Sequence, residues 1–225
     1  MSRSKGRRPL KVRDAVAAQR FARWLSRRRV TPNQISIVSV FFASGAAACL
    51  LLMPRVAGQP GENFWSCLLP LIAAAMIQCR LLCNLFDGMV AVEGGKGTRS
   101  GELFNDIPDR IADPLILVAA GYATEVVSWS EPLGWAAGLG AVMTAYVRTL
   151  ASSLGAPNDF RGPMAKQHRM ALMTLACVLM AATPFFPPCR WSIVIALLII
   201  VVGCAVTCVC RANAAYQALE STEEA

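Results

Sequence analysis

Charged residues are scarce in this chain of 225 residues, where they make up only 16% of the total. Soluble domains usually carry about 25% charged residues. The apolar residues, 55% of the chain, fall in long blocks instead of the stripes of amphipathic helices. The composition therefore argues against an ordinary soluble domain and predicts one compact membrane domain.

Histidine and paired cysteines are also nearly absent. The chain has one histidine, and none of its nine cysteines belongs to a Cys-x-x-Cys pair. Most of the cysteines lie in or beside apolar segments. This pattern disfavours a zinc site and a disulfide framework, so we interpret these thiols as small buried hydrophobes.

Acidic residues are almost missing from the N-terminal segment. Eleven of the 22 Lys and Arg residues lie between Arg3 and Arg29, and only Asp14 opposes them there. Such a segment binds either nucleic acid or an anionic membrane surface. The apolar run that follows favours the membrane surface, and we expect no nucleic-acid partner.

Residues 14 to 26 have the pattern of an amphipathic helix. Phe21, Trp24 and Leu25 share one side of this helix, and arginines lie beside them. We therefore predict an interfacial helix on the membrane surface. A charged juxtamembrane stretch without a defined orientation is the alternative.

Six apolar segments predict an all-α bundle of transmembrane helices. The first, residues 35 to 53, contains no charge and follows Thr31 and Pro32, which are typical of a helix start. We expect it to be retained, although a cleaved signal peptide is the competing interpretation. The other spans are expected at 64–86, 111–127, 133–154, 170–186 and 191–209. The expected domains are a basic, partly disordered N-terminus at 1–34, a catalytic domain at 35–211 and a tail at 212–225.

The loops between these spans differ in their positive charge. Residues 54–63, 125–132 and 187–190 contain few cations, whereas 87–110 and 155–169 contain many. By the positive-inside rule, both termini and the two basic loops face the cytoplasm. The sequence thus predicts a multi-pass membrane protein, in the inner membrane if the cell is bacterial, with its site on the cytoplasmic side.

Polar and acidic residues collect between Asn84 and Asp113. Asn84 and Asp87 are three residues apart, and Asn105, Asp109 and Asp113 repeat every four, so each set lines one face of a helix. Carboxylate and amide oxygens at this density suit a divalent cation, Mg²⁺ or Mn²⁺, that holds a phosphorylated substrate.

Basic residues of the other cytoplasmic loop are candidates for binding phosphate groups. Cations near the membrane but away from its outer rim are often functional. For Arg161 and Arg169, a plain topology signal is the alternative. The candidates for binding phosphate or the acceptor are Arg148, Arg161, Lys166, His168 and Arg169.

The stretch from Asn84 to Asp109 resembles the signature of the CDP-alcohol phosphatidyltransferases, which runs Asp-x-x-Asp-Gly-x-x-Ala-Arg, eight residues, Gly-x-x-x-Asp-x-x-x-Asp. All spacings are kept, and the aligned residues are Asn84, Asp87, Gly88, Ala91, Val92, Gly101, Asn105 and Asp109. The resemblance implies transfer of a phosphatidyl group from CDP-diacylglycerol to a small alcohol, with release of CMP.

The same resemblance implies roles for individual residues. Asp109 matches the general base, and the metal ligands would be Asn84, Asp87, Asn105 and Asp109. Gly88, Ala91 and Gly101 match positions near the nucleotide and the lipid phosphate. Close helix packing is an alternative for Ala91, and a simple turn is one for Gly101.

Three residues depart from the signature. Asn84 and Asn105 stand where the family usually has aspartates, and Val92 replaces its arginine. Four carboxylates that hold two cations would become two, which weakens metal binding or leaves one strongly held ion. The candidates for compensation from outside the register are Glu93, Glu102, Asp106 and Asp113.

The departures leave a second hypothesis open, namely a degenerate, non-catalytic lipid- or nucleotide-binding scaffold of the same fold. A small transporter is disfavoured because the acidic groups cluster at one mouth instead of at the midplane. The acceptor is not readable from the sequence. Glycerol 3-phosphate and an inositol phosphate both suit the basic loop, and a homodimer is left open.

Overall fold

The structure is a computed structural model, and it describes residues 16 to 28, 30 to 93 and 101 to 223. The long elements within these ranges are all α-helices, so the expectation of an all-α fold is confirmed. The helices are α1 (Val16–Arg27), α2 (Pro32–Leu52), α3 (Glu62–Glu93), α4 (Gly101–Tyr122), α5 (Ser130–Ser153), α6 (Lys166–Met180) and α7 (Ser192–Glu223). Short 3₁₀ turns at Pro54–Val56 and Pro187–Trp191 complete the regular structure. The expected disorder of the first dozen residues falls outside the described ranges.

Three of the described helical segments are long and apolar enough to cross a membrane by length and composition, at Pro32–Val56, Glu62–Ala91 and Pro187–Ser221. Helices α4, α5 and α6 occupy most of the other three predicted spans. Large apolar side chains remain exposed on the outside of the bundle, among them Phe41, Leu139 and Val202. Such a surface is expected where lipid, not water, surrounds the protein.

The start of α2 follows from its sequence. The hydroxyl of Thr31 accepts a hydrogen bond of 3.3 Å from the backbone N–H of Gln34, and the side-chain carbonyl of Gln34 accepts one of 3.0 Å from the backbone N–H of Thr31. This reciprocal capping box satisfies two donors that a helix start leaves free, and Pro32 fits the first turn because it has no N–H to satisfy. The helix start expected at Thr31 and Pro32 is therefore confirmed.

Several helix ends differ from the sequence-based spans. Helix α6 ends at Met180 instead of continuing to residue 186. The segment after it contains Pro184 and Pro187, each of which lacks the N–H that would donate to the preceding turn. Helix α7 runs past residue 209 to Glu223 and passes the expected domain boundary at 211 without a break. The segment after residue 211 is rich in alanine, a strong helix former, which explains the extension.

Small residues allow the helices to pack closely. Helix α2 packs against both α3 and α4, and its buried side includes Ala43, Ala46 and Ala47. Where α4 crosses α5, a Cβ atom on Gly134 would lie 2.8 Å from the Cα of Gly121, so no larger residue fits there without movement. Close approach of this kind is how membrane helices gain packing energy.

Helix α1 lies against the end of α3. Ala22 of α1 is fully buried, and the ring of Phe21 lies 4.8 Å from that of Phe86. The Trp24 ring is half exposed beside the Arg28 guanidinium. The contact ties the N-terminal helix to the segment that carries Asn84 and Asp87.

Candidate active site

The candidate site lies where the C-terminal part of α3 meets α2, the first half of α4 and the start of α6. Helix α2 packs on both α3 and α4, and α3 also packs on α6. This arrangement brings Asp87 of α3 and Asp109 of α4 close enough to interact electrostatically. The two carboxylates that remain in the signature therefore belong to one site.

Asp87 is almost completely buried and only half satisfied. Its Oδ2 accepts a hydrogen bond of 2.8 Å from the hydroxyl of Ser36 on α2. Within the part of the chain that the structure describes, its Oδ1 has no hydrogen-bond partner, and neither has the buried Nδ2 of Asn84 one turn earlier. Unsatisfied buried polar atoms are costly, and a ligand or an ion that completes the site is one recognised reason for them.

Asp109 and Asp113 are held by three cations. Arg80 of α3 lies 3.1 Å from Oδ1 of Asp109 and 2.6 Å from Oδ1 of Asp113, the latter as a close ion pair without hydrogen-bond alignment. Lys166 forms an ion pair with Oδ2 of Asp109, and Arg169 lies 2.7 Å from Oδ2 of Asp113. Each of the four carboxylate oxygens thus faces a cation.

Lys166 begins α6, and its side chain keeps a quarter of its surface exposed. Burial lowers the pKa of its ammonium group, while the carboxylate of Asp109 opposes this shift. Arg80, by contrast, is completely buried. Of the two cations on Asp109, Lys166 is the one that can move away into solvent.

Arg169 was expected to contact phosphate, and the structure places it inside the protein. Its guanidinium donates to the carbonyl of Met164 at 2.9 Å and to the hydroxyl of Thr144 at 3.3 Å, in addition to its ion pair with Asp113. A direct phosphate contact would have to replace some of these bonds. The phosphate-binding role of Arg169 stays a prediction.

The other basic candidates lie nearer the surface. Arg148 pairs with Asp106 at 3.5 Å and lies over the ring of Phe160. Arg161 is exposed and pairs with Asp159 at 2.8 Å. The exposed His168 has its Nδ1 at 2.6 Å from the carbonyl of Pro163. These side chains can reach a solvent-borne ligand with less rearrangement than Arg169.

The loop between α5 and α6, which carries Arg161, is fixed to α7. Gly162 has a φ of +109°, and a Cβ atom added there would lie 2.6 Å from the side chain of Thr207. The Thr207 hydroxyl accepts from the amide of Met164 at 3.0 Å and donates to the carbonyl of Gly203 at 2.7 Å. Arg211 adds a bond of 3.0 Å to the carbonyl of Arg161.

Some signature positions can be described only in part. Gly88 and Ala91 are half-buried on α3, on the helix that carries Asp87, and Gly101 is the first residue of α4. Val92, Glu93, Glu102 and Asn105 lie in described helices, but their side chains fall outside the described part of the structure. The predicted metal-binding role of Asn105 therefore stays a prediction.

The structure adds residues that the sequence argument missed. Arg80 is a charge in the middle of an apolar run, and an ionisable residue within a membrane segment is a functional candidate by default. That signal was available in the sequence for Arg80 and, near the end of the last span, for Arg211. Nothing in the sequence singles out Ser36 or Thr144, because their partners come from distant helices.

A divalent cation would find suitable oxygen ligands in one part of the site. Among the residues that the structure describes, no group of three or more His, Cys, Asp or Glu side chains could hold a metal ion. Asp87 nevertheless offers a buried oxygen without a partner beside Asn84, whose amide carbonyl is a potential ligand. The donor set therefore fits one cation at Asp87, whereas both oxygens of Asp109 are already paired.

Comparisons with known proteins point to one class. Phosphatidylinositol phosphate synthase from Corynebacterium glutamicum is 30% identical over 154 residues, which cover 59% of this chain and 62% of the relative. The corresponding synthase of Streptomyces avermitilis is 26% identical over 198 residues, 85% of this chain and 74% of the relative. Inner membrane protein YnbA of Escherichia coli is 26% identical over 166 residues, 72% of this chain and 73% of YnbA. The chain thus spans less than two thirds of the Corynebacterium protein, and no family model matches it.

Solved structures show the same fold. The Mycobacterium tuberculosis phosphatidylinositol phosphate synthase with CDP-DAG bound superposes with a TM-score of 0.69 at 22% identity, covering 90% of this chain and 94% of that one. The same protein in complex with manganese and citrate gives a TM-score of 0.69 at 21% identity, covering 88% of each chain.

These matches confirm the resemblance to the CDP-alcohol phosphatidyltransferases that the signature indicated. In sequence and in fold, the chain is similar to phosphatidylinositol phosphate synthases. It is a membrane protein, as its apolar helices and its likeness to an inner membrane protein show.

Proposed function

We propose that this protein transfers a phosphatidyl group from CDP-diacylglycerol to a small alcohol and releases CMP. The observation that carries the proposal is the meeting of Asp87 and Asp109, from the two halves of the signature, in one buried site with an unsatisfied oxygen on Asp87. The likeness to synthases that use this chemistry supports it.

Asp109 would act as the general base. It accepts the proton of the acceptor hydroxyl as that oxygen attacks the phosphorus nearest the lipid, and the bond to CMP breaks. To do so, Asp109 must exchange one ion-pair partner for the acceptor, and the partly exposed Lys166 is the partner that can leave. Arg80 stays in place because it is fully buried.

Asp87, with Asn84, would hold a divalent cation, Mg²⁺ or Mn²⁺. When bound, this ion would offset the negative charge that develops on the phosphate of the departing CMP. Ser36 orients Asp87 through the bond to Oδ2, which leaves Oδ1 free for the ion. The manganese complex of the Mycobacterium synthase is consistent with this choice of metal.

A phosphorylated alcohol is the acceptor that fits the basic loop best. Arg148, Arg161, Lys166 and His168 lie on or beside the loop before α6, and several are solvent-accessible. Planar guanidinium groups bind phosphate oxygens in pairs. The names of the related synthases make an inositol phosphate the first acceptor to test.

The proposed topology has six spans, with both termini and the site on the cytoplasmic side. It rests on the distribution of Lys and Arg between alternate loops. Helix α1 would lie in the membrane interface, with exposed Phe21 and Trp24 in the lipid. Its contact with α3 holds this surface helix next to the site.

A lipid- or nucleotide-binding scaffold is the second candidate. The ion pairs that occupy both oxygens of Asp109 favour it, because a base must be free to accept a proton.

The enzyme and the scaffold can be distinguished by turnover. Purified protein incubated with CDP-diacylglycerol and a panel of alcohols should release CMP with at least one acceptor, and Asp109→Asn should abolish that release.

The panel should contain inositol phosphate, glycerol 3-phosphate and their unphosphorylated counterparts. Glu131→Gln, on exposed α5 residue 131, is a suitable control because it removes a carboxylate outside the site. If wild-type protein binds CDP-diacylglycerol but releases no CMP with any of these alcohols, the scaffold is the better description.

A further inference from the structure

Arg80 is a positive charge buried inside the helix bundle, and its presence there needs an explanation. Its side chain is fully buried in α3, one turn before Asn84, and it bridges Asp109 and Asp113 of α4. A buried arginine is tolerated only when carboxylates and hydrogen bonds compensate the loss of water. Here the compensating carboxylates include the proposed catalytic base.

The carboxylates of the site are unequal in their partners. All four oxygens of Asp109 and Asp113 lie in ion pairs with Arg80, Lys166 or Arg169, whereas among the described residues Asp87 forms no ion pair and its Oδ1 accepts no hydrogen bond. A second divalent cation at Asp109 would have to displace Arg80 or compete with its charge at short range. A cation at Asp87 would have no described ion pair to displace.

The amide substitutions point in the same direction. Four carboxylates carry the negative charge that two divalent cations require, but this signature retains only Asp87 and Asp109. Arg80, Lys166 and Arg169 compensate Asp109 and Asp113, so that among the described carboxylates of these ion pairs and of the signature Asp87 alone is left to bind a cation, which allows one divalent cation at most. The two asparagines and Arg80 therefore act in the same direction, because both reduce the negative charge that the site offers to cations.

We propose that the guanidinium of Arg80 takes the place of one of the two divalent cations implied by the signature, so that the site binds a single divalent cation, at Asp87. Arg80 would be a positioning residue that holds Asp109 with a permanent charge. Nε and Nη1 of Arg80 are buried and have no hydrogen-bond partner among the described residues, so the two carboxylates supply the contacts that hold the guanidinium. This inference rests on the proposed function, but its test does not require turnover.

The test counts the ions that bind. Full-length protein in detergent is titrated with Mn²⁺ alone, and bound ions per chain are measured by equilibrium dialysis and electron paramagnetic resonance. Wild-type protein is expected to bind one Mn²⁺. Asn84→Asp with Asn105→Asp is expected still to bind one, because Arg80 remains.

Adding Arg80→Met to that double variant should raise the number to two. The second ion should also broaden the resonance spectrum, because paired metals in such sites lie about 3.5–4 Å apart. Arg55→Met is the matched control, since Arg55 is exposed at the other end of the bundle and bonds only to the carbonyl of Leu51 among its described contacts. It should leave the count at one.

Two Mn²⁺ ions in the wild type or in the double variant would overturn the proposal, and so would none in the wild type. A folded triple variant that still binds one ion would show that Arg80 has only a structural role, which also overturns it. If the triple variant does not fold, the counts for the wild type and the double variant decide. An inactive protein that binds one ion contradicts the proposed function alone, and an active protein that binds two contradicts only this inference.

Discussion

The hydroxyl of Ser36 on α2 donates a hydrogen bond of 2.8 Å to Oδ2 of Asp87 on α3. This bond fixes one oxygen of the carboxylate and leaves the other for a cation. Residues that orient metal ligands in this way typically contribute about 10–100-fold to metal affinity. Ser36→Ala should therefore weaken Mn²⁺ binding by roughly 10–100-fold, as measured by titration.

Ser39→Ala is the matched control for this substitution. Ser39 is also buried on α2, but its hydroxyl donates to the carbonyl of Ser36 and not to Asp87. Its loss should leave Mn²⁺ affinity nearly unchanged. Equal weakening by the two substitutions would mean that α2 packing, and not the bond to Asp87, governs the site.

Replacement of Asp109 by asparagine separates an enzyme from a scaffold. The amide keeps the shape of the side chain but cannot take a proton, so CMP release should fall by about 10²-fold or more. Binding of CDP-diacylglycerol should be affected less. If the variant matches wild type in rate, Asp109 is not the base.

Removal of the divalent cation should stop the reaction. Excess chelator should abolish CMP release, and added Mg²⁺ or Mn²⁺ should restore it, because the cation held by Asp87 and Asn84 would supply the positive charge that stabilises the departing phosphate. Release is measured before and after dialysis into chelator. Full activity in chelator would leave the polar cluster as a hydrogen-bond network at the helix ends.

Lys166 and Arg169 were both expected to bind phosphate, but their surroundings predict different phenotypes. Arg169→Ala leaves Asp113 without one of its two buried ion pairs, a change that typically destabilises a protein by about 3–5 kcal/mol. Its melting temperature in detergent should fall markedly. Lys166→Ala should instead raise the KM for the acceptor, with a smaller change in melting temperature.

The exposed ion pair between Arg161 and Asp159 supplies a control for stability. Surface pairs are worth about 0–1 kcal/mol, so Arg161→Ala should barely change the melting temperature. If Lys166→Ala and Arg169→Ala change neither substrate affinity, nor turnover, nor stability, both residues serve only as topology signals.

Topology can be tested by labelling single cysteines in a variant without the nine native ones. A cysteine at position 128 should react with a membrane-impermeant reagent from outside the cell, because its loop is poor in cations. A cysteine at position 97 should be protected until the membrane is opened. The opposite labelling pattern would place the site on the external side.

The sequence predicted much of the site because helical spacing is local. Asn84 and Asp87, and likewise Asp109 and Asp113, were placed on common faces by their separation in the chain alone. The partners of these residues were not predictable in the same way. Arg80 meets Asp109 across 29 positions and Ser36 meets Asp87 across 51, so both contacts depend on how the helices pack.

Helix boundaries show the same division. The start of α2 was readable from Thr31 and Pro32, because capping involves neighbours in sequence. The burial of Arg169 was not readable from the sequence, because hydropathy does not distinguish a buried cation from an exposed one in a basic loop. Arg169 is buried through its contacts with Asp113 and Thr144, which come from two other helices.

The attachment of the loop to Thr207 has a consequence for engineering the acceptor specificity. The loop backbone is anchored to α7 through the amide of Met164, whereas the side chains of Arg161 in the loop and His168 at the start of α6 remain exposed. Those side chains can be exchanged without shifting the chain that carries them. A library that varies positions 161 and 168 while keeping 162 and 207 constant should yield mostly folded variants, so that recognition can be changed independently of architecture.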